Sequence, residues 1–529
     1  MLRTGWAGNM YVVSSVAHPA SVRAAHPARV GSWLARWWPL VAVTALAAAL
    51  RLSTLNLQSF WFDEAFTPLH VLHPSLWATL RTVSHTENTP PLWYVLAWAD
   101  SRVLGTGEIA LRLPSALAGI ATVPVAWAIG HELAGRRAAL VCASLVAVNP
   151  LFVWFSQEAR AYALFVLIAA LAMLCLLRAE REPTRGRMAA FALTGSLALL
   201  THYFAAFLII PMVLWLACEP RVRRAALPAI GALVLVGAAL LPLISAQQGG
   251  NGTQWIGKWP LWERLQAIPQ YYLTGYSGGE LGHRIELLVA LPILAGLGLG
   301  LRRMLERPHP KARRGVLMAV AIAAGGILIP IVLVPLGADY LAPRNLVAAM
   351  IPVTAVIAVV VVWPGTGRTG IALAAAIALA FTAISLDVDL TPRLQRSNWR
   401  GLAKALRGGP RERVITTPEL GSAPLRYYLP ELGSHNLQAG SSVLVSEIDE
   451  TGVRESATEL YEPFRASAGE PPAPGFHLLA RVEVGALAVY RFVSPVPRMV
   501  SEATLRRHVI TLAGPRSKVL VEAGAQESP

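Results

Sequence analysis

The sequence predicts a polytopic α-helical membrane protein of about eleven transmembrane helices, followed by a small α/β domain outside the membrane. Three observations carry this. The 529 residues are 54% hydrophobic and only 15% charged, with a mean hydropathy of +0.49, too apolar for a soluble chain. Apolar runs close to the roughly 20 residues of a membrane span recur through residues 37–386. Beyond Leu386 short strand-like and helical runs alternate instead.

Taken in order, residues 1–36 carry Arg3, Arg23, Arg29 and Arg36 without an apolar run and read as a cytoplasmic tail with no cleavable signal. Spans are expected near 37–54, 112–130, 137–152, 161–178, 188–201, 203–218, 225–245, 284–301, 315–336, 345–363 and 369–386. The run 91–104 is short, opens on two prolines and contains Asp100 and Arg102. Charge decides its place. With 55–112 wholly on one side, the loops 131–137, 178–187, 219–224, 302–314 and 364–369 hold sixteen Arg or Lys. The opposite segments, 55–112, 153–160, 201–203, 246–283 and 337–344, hold seven. Basic loops stay cytoplasmic, so 55–112 is expected outside and 91–104 is a helix lying on the outer surface.

The same loops account for much of the net charge of +15, and no nucleic-acid partner is implied. Cys142, Cys175 and Cys218 fall in or at the ends of apolar segments, so neither a disulfide framework nor a thiolate metal site is expected. In the outer domain, 387–529, helices are expected at 397–406, 424–429 and near 454–465. Strands are expected at 413–416, 442–445, 476–482 and 486–492, with no structure from about Glu522.

This topology gathers Asp63, Glu64, His85, Glu87, Arg112, Arg160, His202 and Arg344 at the outer rim, with Tyr162, Tyr203 and Tyr340 beside them. Each alone reads as a loop charge or an interfacial tyrosine. Arg160 and Arg344 stand apart, because a cation at the edge of an apolar helix is costly unless it meets an anion. Asp63-Glu64 is either the carboxylate pair of a helix N-terminus or a general base beside the bilayer. Glu87 and His85 are two ligands for a divalent ion without a third, which leaves metal dependence open. His202-Tyr203 is a turn between two short spans or a ligand pair. A base and several cations at lipid depth suit a substrate with an anionic head and a greasy tail, such as a polyprenyl-phosphate sugar. Nucleotide sugars are absent outside a bacterial cytoplasm, so a lipid-linked donor fits that side.

Five segments then carry a resemblance: Trp61-Phe62-Asp63-Glu64, the Pro-Pro-aromatic run from Thr89 to Tyr94, Leu111-Arg112-Leu113-Pro114-Ser115, Ser156-Gln157-Glu158-Ala159-Arg160-Ala161-Tyr162, and Tyr340-Leu341-Ala342-Pro343-Arg344. In order and spacing they resemble the C-type integral-membrane glycosyltransferases of the family 39 kind, which include protein O-mannosyltransferases and the lipid A aminoarabinose transferases. Asn398-Trp399-Arg400 looks like the start of the outer domain of bacterial members. The resemblance implies a transmembrane catalytic domain over 37–386, with 55–112 as its catalytic outer loop.

It also implies Asp63 as catalytic base, Glu64 as its neighbour in the site, and Arg112, Arg160 and Arg344 at the donor phosphate. Glu87, Tyr162, His202, Tyr203 and Tyr340 complete the candidate substrate contacts. Many relatives have His-Pro-Pro where this chain has Thr89-Pro90-Pro91, so no role of that histidine carries over. The expected reaction is inverting transfer of a hexosyl or pentosyl group from a polyprenyl-phosphate donor to a hydroxyl of a protein, lipid or glycan. It is expected at the outer face of the plasma (inner) membrane, without a nucleotide or redox cofactor. The rival is a polytopic transporter or flippase, which predicts inverted repeats and broken helices at the midplane. The sequence shows neither.

Overall fold

The computed structural model describes residues 28–248, 256–278, 281–410, 412–453, 469–507, 517–522 and 527–528. Helix α1 (Ala28–Leu52) leads to three short helices, α2 (Phe62–Phe66), α3 (Leu76–Thr86) and α4 (Leu92–Leu104). The bundle continues through α5 (Glu108–Ala134), α6 (Arg136–Val148), α7 (Pro150–Ser156), α8 (Tyr162–Arg181), α9 (Arg185–Thr201), α10 (Ala205–Cys218) and α11 (Arg223–Gln248). After α12 (Leu261–Thr274) come α13 (His283–Glu306), α14 (Pro310–Leu333), α15 (Met350–Val361) and α16 (Gly367–Leu390). Among the described residues seven helices are long and apolar enough to cross a membrane, and the bent pair of α6 and α7 makes an eighth. Trp37–Leu52 and Ala205–Cys218 are shorter apolar helices. The protein is a multi-pass membrane protein; the expected spans overlie helices, but among the described residues seven or eight of these are long and apolar enough to cross where the sequence predicts eleven spans.

Three local features depart from the sequence reading or refine it. The region 55–112 is largely helical, and α4 begins just after Pro90-Pro91, where a missing N–H is harmless. It ends at Gly105 with φ 83°, and at 13 residues it is too short to cross. The expected span at 137–152 is broken by 56° between α6 and α7. Asn149 causes this by accepting from the Leu151 and Phe152 amides, with Pro150 opening α7. The carbonyls of Val146 and Ala147 accept from the buried Arg51 guanidinium at 3.2 and 2.7 Å, so the break is sealed inside the protein. Finally, 246–283 contains a whole helix, α12.

Loops separate to two ends of the bundle as the charge count sorts them. At one end Glu132 pairs with Arg178 and Arg181, and Arg314 pairs with Glu180 and Glu219. At the other, Tyr203 donates to Gln247 (2.7 Å), whose amide donates to the carbonyls of Val83 and Thr89.

The C-terminal domain is a mixed sheet in the order β2-β6-β1-β3-β5-β4, built from β1 (Arg413–Pro418), β2 (Leu432–Asn436), β3 (Ser442–Val453), β4 (His477–Val484), β5 (Leu487–Ser501) and β6 (Ser517–Glu522). β1 and β3 are parallel and the other pairs antiparallel. Alternation sends Val414 to one core and Ile415 to the other. Helices α17 (Trp399–Leu406) and α18 (Ser422–Tyr428) cover the Ile415 face through Trp399, Leu402, Leu406 and Leu425. β3 and β5 run longer than expected, and the tail adds β6 between β1 and β2. Glu527–Ser528 pairs with β3, against the expectation of no structure from about Glu522. The helix expected near 454–465 lies outside the described residues.

Candidate active site

Asp63 and Glu64 open α2, and consecutive helical positions face different surroundings. Glu64 points inward and is fully buried. Its Oε1 accepts from Arg112 Nε (2.7 Å) and the Ala159 amide (2.9 Å), and its Oε2 from Arg112 Nη2 (2.7 Å). Arg112 also donates to the carbonyls of Leu55 (3.1 Å), Gln58 (2.7 Å) and Ser59 (3.1 Å), which uses all its N–H groups. Burial works to raise the Glu64 carboxyl, but the charge and hydrogen bonds of Arg112, aided by Arg396 and the Ala159 amide, outweigh it and hold the group below its ordinary range. The pair is a clamp that ties the irregular segment 55–59 to α5. Arg112, expected at the donor phosphate, therefore has no donor left for one. Glu64, expected as a catalytic neighbour, cannot gain a proton without breaking this clamp.

Asp63 faces the other way, with its side chain 22% exposed. Its Oδ2 lies 3.4 Å from Arg344 Nη1, and its carbonyl lies 3.4 Å from Arg160 Nη1. Arg344 sits over the Trp61 ring at 5.8 Å and Arg160 over Tyr94 at 6.0 Å. Arg160 also pairs with the buried Glu87 at 3.2 Å, and Tyr94 donates its hydroxyl to the same carboxylate. Contacts of 3.4 Å are at the weak end of hydrogen bonding, unlike the 2.7 Å bonds of Glu64. Both arginines are 16–17% exposed, so Asp63, Arg160 and Arg344 form a charged cluster that reaches the surface.

Tyr162 is buried against Phe155 at 4.6 Å. His202 stacks on Phe165 at 4.8 Å, and its Nδ1 accepts from the Phe204 amide at 3.2 Å. Of its two readings, those contacts are those of the turn between α9 and α10. Tyr203 braces α11 through Gln247, and Tyr340 accepts from the Gln248 amide at 2.9 Å. His85 is exposed at the end of α3. Among the described residues no three His, Cys, Asp or Glu converge on an ion site, and the carboxylate of Glu87 is engaged by Tyr94 and Arg160.

Sequence reasoning missed several members. Arg264 pairs with Asp339 at 2.6 and 2.9 Å and donates to the Leu341 carbonyl, which fixes the loop bearing Tyr340 and Arg344. Tyr276 stacks on Trp154 at 5.3 Å beside the cluster. Glu158, two residues before Arg160, pairs with Arg396 at 3.0 Å in full burial. Its place in the motif from Ser156 to Tyr162 was the available signal; Arg396 had none.

Comparison with known proteins adds a second line. The family model for Dolichyl-phosphate-mannose-protein mannosyltransferase matches residues 88–246. YkcB of Bacillus subtilis (strain 168), whose name marks it as a candidate mannosyltransferase, is 24% identical over 221 residues. That stretch is 38% of this chain and 30% of the relative, so the chain spans less than a third of the curated relative it matches. The crystal structure of ArnT from Cupriavidus metallidurans bound to undecaprenyl phosphate superposes with a TM-score of 0.52 at 13% identity, covering 85% of this chain and 97% of that one. The fold is that of the C-type integral-membrane glycosyltransferases. Within it the family match includes Arg112, Arg160, Tyr162, His202 and Tyr203, whereas Asp63 and Arg344 lie on either side. The C-type fold thus joins at one rim residues that a single sequence segment does not.

Proposed function

We propose that the protein transfers a sugar from a polyprenyl-phosphate-linked donor to an acceptor hydroxyl at the outer face of the plasma membrane, with inversion. The observation that carries this is the part-exposed Asp63, whose carboxylate meets Arg344 and whose carbonyl meets Arg160. The matched mannosyltransferase model and the likeness to an undecaprenyl-phosphate-bound structure support the donor class. The charge sorting of loops supports the outer face.

In the reaction, the acceptor oxygen attacks the anomeric carbon as its proton passes to Asp63 Oδ2. The bond from that carbon to the phosphate oxygen breaks, and its electron pair leaves with the polyprenyl phosphate. The leaving phosphate gains negative charge, so guanidinium groups beside it favour the transition state over the ground state. Arg344 has a second task. In the resting site it touches Asp63; a donor phosphate competes for it and releases the carboxylate to act as base. Glu64 and Arg112 hold the loop in place, and Glu87 holds Arg160. Tyr162, Tyr203 and Tyr340 border the site where the sugar and acceptor meet. A transporter reading gains nothing from the broken α6–α7 pair, whose carbonyls are taken by Arg51.

The test is sugar transfer by the purified chain in nanodiscs, using the polyprenyl-phosphate sugar that accumulates when its gene is deleted. Asp63→Asn should lower turnover by roughly 10²-fold while donor binding survives. Near-normal transfer by the folded variant overturns the assignment of the base.

A further inference from the structure

The linker between the membrane bundle and the C-terminal domain does not pass freely over the surface. Arg396 is inserted beneath the catalytic loop, with its side chain 4% exposed. Its Nη2 reaches Glu158 Oε2 at 3.0 Å, its guanidinium lies 4.2 Å from the Trp154 ring centroid, and its amide donates to Gln58 Oε1 at 2.8 Å. The segment that follows is bound to the same stretch. Ser59 Oγ donates to the Ser397 carbonyl (2.9 Å) and accepts from the Trp399 amide (3.0 Å). The Phe60 amide donates to Tyr428 Oη (2.8 Å), and Arg400 pairs with Glu108. Residues 58–60, just ahead of Asp63, are therefore held on one side by Arg112 and on the other by the linker and α18.

Glu158 is the group through which this reaches the chemistry. It is 1% exposed, and its Oε1 has no hydrogen-bond partner among the described residues. The charged groups that face it are Arg396, Glu64, Arg344 and Asp63. A carboxylate buried there without Arg396 would be an uncompensated charge and would take up a proton. While ionised, it attracts Arg344 and so bears on how that guanidinium is shared with Asp63.

We propose that Arg396 is a positioning residue that keeps Glu158 as a carboxylate beside Asp63 and Arg344, so that the linker of the C-terminal domain completes the active site. This rests on the reading of Asp63 as base. Burial pushes the Glu158 carboxyl up to about 7, with Arg396 pulling it down against that tendency. Transfer that needs the ionised form is full above this value and falls as pH drops through it. Removing the opposing Arg396 charge moves that acid limb to higher pH.

The experiment is the pH profile of donor-saturated transfer by the full-length chain in nanodiscs, comparing wild type with Arg396→Lys, Arg396→Met and Glu158→Gln. The expected result is a limb near pH 7 in wild type that shifts upward by about one unit or more in Arg396→Met. Turnover at pH 7 falls roughly fivefold or more, with the donor KM altered less than about threefold. Arg396→Lys restores most of the limb, and Glu158→Gln abolishes it. If Arg396→Met does not fold, the Lys and Gln variants still decide the matter. A wild-type limb that persists unchanged in Glu158→Gln, or a profile unmoved in folded Arg396→Met, overturns the proposal. Absence of transfer by wild type itself instead fails the reading on which it rests.

Discussion

The two ends of the helical bundle use the same residue types, Glu and Arg, to opposite purposes. At the end bearing the C-terminal domain the pairs are buried: Glu64 with Arg112, Glu158 with Arg396, Glu87 with Arg160. At the far end Glu132 with Arg178 and Arg181, or Glu306 with Arg302, lie in partners up to 74% exposed. Water and salt screen the second set, so pairing there contributes little to stability. The first set is desolvated, so each pair must be complete or costly. Arg344 with Asp63 is the exception at the buried end, a 3.4 Å contact between two side chains that are each about one-fifth exposed.

The largest expected effect breaks the comparison at its strongest point. Glu64→Gln leaves Arg112 as a buried, half-satisfied cation, and should destabilise the protein by about 3–5 kcal/mol. The measurement is the unfolding midpoint in graded denaturing detergent, with transfer lost in proportion to folded protein. The Glu64 carboxyl lies below its ordinary range in the folded state. Its contribution to stability is therefore present above the unfolded pKa and lost as pH falls through the lower folded value. A Glu64→Gln protein that is stable yet inactive would move the base from Asp63 to Glu64.

How much of this was legible in the sequence differs between the two ends as well. The far end was legible because it is a matter of counts: arginines in short loops between apolar runs sort themselves by side. At the site end, types and approximate positions were legible, but roles were not. Asp63 and Glu64 are adjacent letters, and only the start of α2 turns one outward and the other into the core. Arg112, Arg160 and Arg344 are equivalent in composition and flanks; the closure of Arg112 onto Glu64 and three carbonyls is a tertiary event across some fifty positions. Arg396 falls in a short polar linker, where a charge is ordinarily solvated, and its insertion under Trp154 has no local signature. The break at Asn149-Pro150 did have one, an N-cap residue followed by proline inside an apolar run.

A second prediction sharpens the distinction among the buried arginines. Arg344→Lys and Arg160→Lys keep the charge but lose the planar fork that grips a phosphate through two parallel bonds. Each should raise the donor KM or lower turnover by roughly 10-fold, with the unfolding midpoint little changed. Steady-state transfer at varied donor concentration separates the two effects. Unchanged kinetics in both variants would reduce these residues to anchors at the membrane interface and remove the reason for the loose pair with Asp63.

The smallest expected effect lies at the far end. Glu132 meets Arg178 at 3.2 Å and Arg181 at 3.3 Å, but the two arginines are about half exposed. Glu132→Gln takes away both pairs at once, yet each guanidinium is already hydrated and regains water where it loses the carboxylate. The change in stability should stay within about 0.5 kcal/mol, and what there is should shrink as salt is raised. Turnover should not move. The same denaturing-detergent midpoints used for Glu64→Gln provide the measurement, at low and high salt. A loss approaching that of Glu64→Gln would mean that Glu132 is desolvated in the membrane-embedded protein. The two ends would then differ in the number of their charges but not in how strongly those charges are held.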